Sequence, residues 1–170
     1  MPPDLRREIR TERLLLRPMT EADTLALVRI HADPETNRHN PRAPSEERSR
    51  ELVADFLRHW EIHGFGYWTV AEAATGTVIG AGGVQTNDHE GEAVLNLYYR
   101  FAPRYWGQGF APEMAAAAVG WAEREVPDRP VVVVTNVDNA QARRVAEKLG
   151  FLERKRGPYE GADAVYYRRR

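Results

Sequence analysis

Apolar residues along the chain switch between alternation, continuous runs and helical spacing, and the breaks between these regimes mark the elements. Residues 9–17, Ile-Arg-Thr-Glu-Arg-Leu-Leu-Leu-Arg, read as a first strand stopped by Pro18. Thr20 with Asp23 three positions on has the spacing of a capping box, opening a helix through about His31. Three prolines and two asparagines between Asp33 and Pro44 break every period, so this segment reads as a loop. Ser45 then caps a helix whose Leu52, Val53, Phe56, Leu57 and Trp60 share one face, ended by Gly64 and Gly66. Residues 67–72 and 77–86 predict a hairpin around Thr75-Gly76. A second turn, Asn87-Asp-His-Glu-Gly91, leads into a strand over 92–101 closed by Pro103. An alanine-rich helix pattern covers 112–124. The continuous apolar run 131–136 suits a buried strand. Asp138 or Asn139 caps a helix to Leu149 with Gly150 as its stop, and short strands near 151–155 and 164–168 finish the chain. Strands mixed with helices and one strand-helix-strand crossover predict an α+β domain around a mixed sheet, one domain over residues 1–170.

Composition narrows the chemistry. A net charge of −1 with dispersed arginines gives no global field for nucleic acid or an anionic membrane, so neither is an expected partner. The absence of cysteine excludes disulfides, thiolate metal sites and a cysteine nucleophile. No metal is expected. The start, Met-Pro-Pro-Asp-Leu-Arg, lacks the apolar stretch of a signal peptide, and nowhere do about 18 apolar residues run together, so the reading is a cytoplasmic protein. The apolar, aromatic strands near 92–101 and 164–168 permit a homodimer without requiring one.

The segment Arg104-Tyr-Trp-Gly107-Gln-Gly109-Phe-Ala111-Pro-Glu113 joins a strand to a helix. Two glycines there let backbone approach a ligand closely, and the helix start adds unpaired N–H groups and the positive end of its dipole. That is a pyrophosphate site made mostly of backbone. A Walker loop would need Gly-Lys-Ser/Thr, and Phe110 follows Gly109. A dinucleotide fingerprint would need a third glycine and an early βαβ unit.

A second block, Asn136-Val-Asp-Asn139-Ala-Gln-Ala142 through Lys148-Leu-Gly150-Phe151, follows in register. Together the blocks resemble the GNAT-type N-acetyltransferase superfamily, and Leu14-Leu-Leu-Arg17-Pro18 fits it too. Trp106 to Glu113, in the form Trp-Gly-x-Gly-x-Ala-x-Glu, is most similar to the branch that includes ribosomal-protein N-terminal acetyltransferases. The resemblance implies a GNAT-like fold: a central mixed, mostly antiparallel sheet of six to seven strands flanked by about four helices. It implies acetyl-CoA as cosubstrate and an amine acceptor, a peptide N-terminus or a small molecule. By the same resemblance the pyrophosphate lies over the N–H groups of Gly107, Gln108, Gly109, Phe110 and Ala111, with Arg104 adding charge. The pantetheine pairs with the strand end at Tyr99 to Phe101 and meets Asn139; Arg143 and Arg144 read as a solvated helix face, with reach to the 3′-phosphate as the alternative. The strand N–H near Phe101 is the expected oxyanion donor.

The usual proton-handling positions depart from the family. Where relatives carry a tyrosine acid this chain has Ala146, where others carry a serine it has Ala142, and where many carry a strand glutamate it has Asn96. Glu92 and Tyr98 share the face of Asn96, and these three are the candidate catalytic residues. Tyr67, His63 and His89 can approach from the neighbouring hairpin, and Trp60, Tyr67, Trp68 and Tyr98 are candidates to line an acceptor pocket between the 20–62 helices and the central strand. The missing groups leave an alternative open: a catalytically weak acyl-CoA-binding sensor or regulatory module.

Overall fold

The computed structural model describes residues 7–38, 45–159 and 162–169; the second half of the predicted 33–44 loop falls outside them. Eight strands form one sheet in the order β1-β2-β3-β4-β5-β6-β8-β7: β1 (Ile9–Arg10), β2 (Leu14–Arg17), β3 (Tyr67–Glu72), β4 (Val78–His89), β5 (Glu92–Phe101), β6 (Val131–Asn136), β7 (Leu152–Tyr159) and β8 (Ala162–Arg168). Every neighbouring pair is antiparallel except β5 with β6. The helices are α1 (Thr24–Ala32), α2 (Glu46–His63), α3 (Phe110–Glu125) and α4 (Ala140–Lys148). The fold is the mixed, mostly antiparallel α+β class expected, with eight strands rather than six or seven.

One extra strand comes from the first segment. Residues 9–17 are not continuous: Thr11 N–H bonds back to the Leu14 carbonyl at 2.9 Å, and β1 folds onto β2 with Ile9 opposite Leu16. Asp23 does close the capping box, within a 3-10 turn over Glu21–Asp23 that leads into α1. Its carboxylate also receives both terminal nitrogens of Arg17 at 2.8 Å and the Thr69 hydroxyl at 2.8 Å. Burial works against ionisation of Asp23, but the Arg17 guanidinium, Thr20 N–H and Thr69 hydroxyl outweigh it and hold the carboxyl below its ordinary range. Ser45 caps α2 through the Arg48 N–H, and Gly64 ends that helix at φ 76°.

The two faces of the sheet are distinct. On one, α1 and α2 bring the His31 and Phe56 rings against Tyr98. On the other, α3 lies so close to β4 that a Cβ on Gly82 would come within 2.7 Å of Met114 and 2.9 Å of Tyr99. Tyr98 and Tyr99, adjacent in β5, therefore point to opposite faces.

β5 and β6 touch only briefly. Their parallel pairing is confined to Leu95 with Val131 and Asn96 with Val132, after which the strands diverge. Leu95 donates its N–H to the Pro130 carbonyl on the β6 side. By the two-residue alternation of strand backbone, Tyr99 aims its N–H and C=O, and Phe101 its N–H, into the opening between the strands. A sheet that separates in its middle leaves backbone donors and acceptors for something other than protein.

Candidate active site

Below that opening the chain forms a groove of about 470 Å³, bordered by the end of β5 (Tyr99, Arg100, Phe101), the glycine loop and start of α3, and α4 (Asn139 to Lys148). Gly107 and Gly109 stand at φ 75° and 81°, in the left-handed region. Nothing lies within 4 Å of a Cβ built on Gly107. Backbone conformation, more than crowding by protein, is therefore what requires glycine here. Gly109 is the cap of α3, which begins at Phe110, two residues before the predicted start. The first turn of α3 consequently presents the N–H groups of Phe110 and Ala111 at the groove, where a phosphate fits.

The loop is held by contacts between residues about a hundred positions apart. The Arg13 Nε donates to Glu113 Oε1 at 2.7 Å, the Arg13 backbone N–H to Oε2 at 2.9 Å, and Arg13 Nη1 to the Gln108 carbonyl at 2.8 Å. The Thr11 hydroxyl also donates to Glu113, and the Arg13 guanidinium lies 4.3 Å from the Phe110 ring centroid. Burial opposes ionisation of Glu113, yet the Thr11 and Arg13 donors together hold it below its ordinary value. Trp106 Nε1 takes the Phe101 carbonyl at 2.8 Å, fixing the strand end relative to the loop. Asn139 caps α4 by accepting the Ala142 N–H at 3.1 Å through Oδ1, which leaves its amide nitrogen for the groove it lines. Arg104, by contrast, is exposed and lies over the Tyr105 ring rather than along the groove. The Gln108 side chain folds back onto the Arg104 carbonyl at 3.1 Å, so only its backbone faces the loop's purpose. Of the paired arginines on α4, Arg143 is turned to Tyr167 and the Val137 carbonyl, while Arg144 lines the groove.

On the α1/α2 face, the structure brings two of the three catalytic candidates together and sets the third apart. Asn96 Nδ2 donates to the Tyr67 hydroxyl at 2.9 Å, and the Tyr67 and Tyr98 rings stack at 4.8 Å. Glu92 stands four residues earlier on β5, about 13 Å from Asn96. Its carboxylate is held by both terminal nitrogens of Arg168 at 2.6 and 3.0 Å, as a clamp between strands. The histidines of the hairpin are placed elsewhere as well: His89 stacks on Tyr166, and His63 sits against His59 at the end of α2. Trp68 is fully buried against Trp121 on the α3 face, and Trp60 is buried with its indole N–H on the Tyr67 carbonyl. Neither tryptophan lines an acceptor pocket.

The residue that sequence reasoning missed is His31. It is 1% exposed, with Nδ1 at 2.8 Å from the Leu27 carbonyl and Nε2 at 2.7 Å from the Tyr98 hydroxyl. A carbonyl only accepts, so Nδ1 carries the proton and Nε2 accepts from Tyr98. Burial pushes the imidazole down to about 4, with the Leu27 carbonyl opposing and Arg100 adding to the shift. Burial raises the Tyr98 phenol, so it stays protonated at neutral pH. With its proton given to His31, the Tyr98 oxygen is left with only lone pairs for any further partner. The sequence carried one signal: His31 follows Leu27 by four residues, on the apolar face of α1.

Comparisons with known proteins agree with this architecture. Residues 13–152 match the acetyltransferase (GNAT) domain family. The protein YkkB of Bacillus subtilis is 28% identical over 142 residues, covering 83% of each chain. The crystal structure of an acetyltransferase from Agrobacterium tumefaciens superposes with a TM-score of 0.82 at 25% identity, over 95% of this chain and 93% of that one. RimL, a ribosomal L7/L12 alpha-N-protein acetyltransferase solved with coenzyme A, shares the fold at a TM-score of 0.76 and 18% identity, over 96% and 97% of the two chains. The chain belongs to the GNAT family of N-acetyltransferases.

Proposed function

We propose that this protein moves an acetyl group from acetyl-CoA to the primary amine of an acceptor, a protein N-terminus or a small molecule, by direct attack. The observation that carries this reading is the groove itself. It runs from the left-handed glycines and the α3 N-terminus to the place where β5 and β6 part. A pyrophosphate suits the N–H groups of residues 107–111, and a pantetheine arm suits the backbone of Tyr99 and the Phe101 N–H, adding itself as a strand. The Asn139 amide, which lines the groove, suits the arm's amides.

Acetyl-CoA supplies the activated acetyl group; a C–N bond forms as the C–S bond breaks, and the amine's proton leaves to solvent. The chain's own contribution is position and preorganised dipoles. Cleft-facing N–H groups of β5 are aimed at the developing oxyanion. The Tyr98 oxygen, fixed as an acceptor by His31, receives an N–H of the incoming amine and orients its lone pair. An imidazole held near 4 is too weak a base to take that proton, so His31 is a positioning residue. An α-amino group with a pKa of about 7.7–8 is partly neutral at physiological pH and needs no strong base. Ala146 is buried and Ala142 lines the groove, so solvent also protonates the leaving sulfur. A protein N-terminus is supported as acceptor by the fold shared with RimL.

The test is thiol release from acetyl-CoA with purified protein and a panel of peptides and small amines. Amine-dependent release supports the enzyme reading. Tight CoA binding without release across the panel would favour a cofactor-binding sensor.

A further inference from the structure

Among the described residues, those lining the groove include four cations, Arg38, Arg100, Arg144 and Lys148, and no carboxylate. Arg144 and Lys148 stand on α4, across from the glycine loop, where the phosphates of the cofactor account for them. Arg38 and Arg100 stand on other elements. Arg100 has the strand parity of Tyr98, and its guanidinium lies 5.2 Å from the Tyr98 ring centroid. It is therefore on the α1/α2 face, opposite the sheet face that α3 covers. Arg38 lines the groove from the loop after α1, with its guanidinium 5.3 Å from the Trp106 ring centroid. Neither arginine has a carboxylate partner among the described residues.

A third group points to the same place. The Thr36 hydroxyl is buried without a hydrogen-bond partner and Thr36 lines the groove. A buried hydroxyl left unpaired is costly unless something polar arrives to meet it. The loop that carries Thr36 and Arg38 is also held in place. Asn37 is 5% exposed and donates its amide to the His31 and Asp33 carbonyls. The same α1 terminus thus sets both the His31–Tyr98 pair and the two loop residues.

Two guanidinium groups lining one groove, one of them over the Tyr98 ring, make an electrostatic selection. A carboxylate is bound by charge-assisted and, with arginine, bidentate hydrogen bonds, while a second cation is repelled. We infer that the acceptor carries a carboxylate close to its amine, and that Arg100, Arg38 and the Thr36 hydroxyl form the subsite that reads it. The inference rests on the N-acetyltransferase reading above and narrows it. The carboxylate belongs either to a free amino acid or to an acidic side chain at the start of a peptide.

The experiment compares kcat/KM for acetylation in matched pairs: aspartate against asparagine, an amino acid against its amide, and peptides beginning with Asp or Glu against those beginning with Asn or Gln. The two kinds of pair separate the sources. The expected result is a preference of about tenfold or more for the carboxylate member of at least one kind. Arg100→Gln and Arg38→Gln bring that ratio toward one, and Arg100→Glu turns the preference toward basic amines. CoA affinity of each variant is measured alongside. A loss of CoA binding as large as the loss of activity would assign the arginines to the cofactor and overturn the inference. Turnover with a ratio near one in every pair would overturn it alone. No thiol release with any acceptor would bring down the enzyme reading as well.

Discussion

The Tyr98 hydroxyl lies 2.7 Å from His31 Nε2, and His31 Nδ1 is spent on the Leu27 carbonyl. One proton position therefore follows from another, and the Tyr98 oxygen is left as an acceptor. Tyr98→Phe should lower kcat by about ten- to a hundredfold with CoA affinity retained. His31→Phe keeps the ring volume but frees the Tyr98 hydroxyl to rotate. It should raise KM for the amine more than it lowers kcat, with recovery in His31→Gln, whose amide oxygen can accept. Steady-state kinetics on the three variants decide it; a Tyr98→Phe enzyme as fast as the parent would remove Tyr98 from the chemistry.

Stability should fall on the acid side in two stages. His31 has its folded value near 4 against an ordinary 6.5, so between these the unfolded chain binds a proton the folded chain does not. The contribution is present in full above about 6.5 and is lost as pH falls toward 4, amounting to about 3 kcal/mol. His59, lowered chiefly by burial, acts in the same direction. Asp23 and Glu113, both held below their ordinary values, add a second loss as pH drops further, through their folded values. Melting temperature against pH for the parent and His31→Phe tests this: the variant should show a shallower decline between 6.5 and 4.

Glu113 should matter to cofactor binding without touching the cofactor. It holds Arg13, and Arg13 holds the Gln108 carbonyl and covers Phe110. Glu113→Ala should destabilise the fold by about 1–3 kcal/mol and weaken CoA affinity through a looser glycine loop. Isothermal titration at a temperature well below melting separates the two effects. Unchanged CoA affinity would restrict Glu113 to stability.

What could be read from the sequence was local. Thr20 with Asp23, Ser45, and the glycines at 64 and 150 mark helix ends by chemistry that acts within a few residues, and the helices end there. The bounds of β3, β5 and β6 were legible because glycine or proline punctuates each. The glycine loop and Asn139 were legible for the same reason. The turn inside 9–17 was not, since Thr11-Glu12-Arg13 carries no glycine, proline or asparagine to mark the bend where the Thr11 N–H bonds back to Leu14. β7 extends past its predicted end because an exposed edge strand, Leu-Glu-Arg-Lys-Arg-Gly-Pro-Tyr, shows no alternation to extend. The partners of His31 and Arg13 lie 67 and about 100 positions away. Nothing near either residue announces a contact that only the closed sheet creates. Glu92 shared the right strand face, but parity carries no information about distance along the strand.

The central claim is that the groove between the glycine loop, β5 and α4 holds coenzyme A. Gly109 tests it most directly, because its left-handed backbone at φ 81° both starts α3 and shapes the phosphate cradle. A β-branched side chain there costs about 1–3 kcal/mol in backbone strain, affordable for a domain of this size, and distorts the loop N–H groups. Calorimetric titration of CoA into the parent and Gly109→Val, each shown to be folded by circular dichroism, is the measurement. Binding to the parent and its loss in the folded variant is the predicted result; equal CoA affinity in both would contradict the assignment of the site.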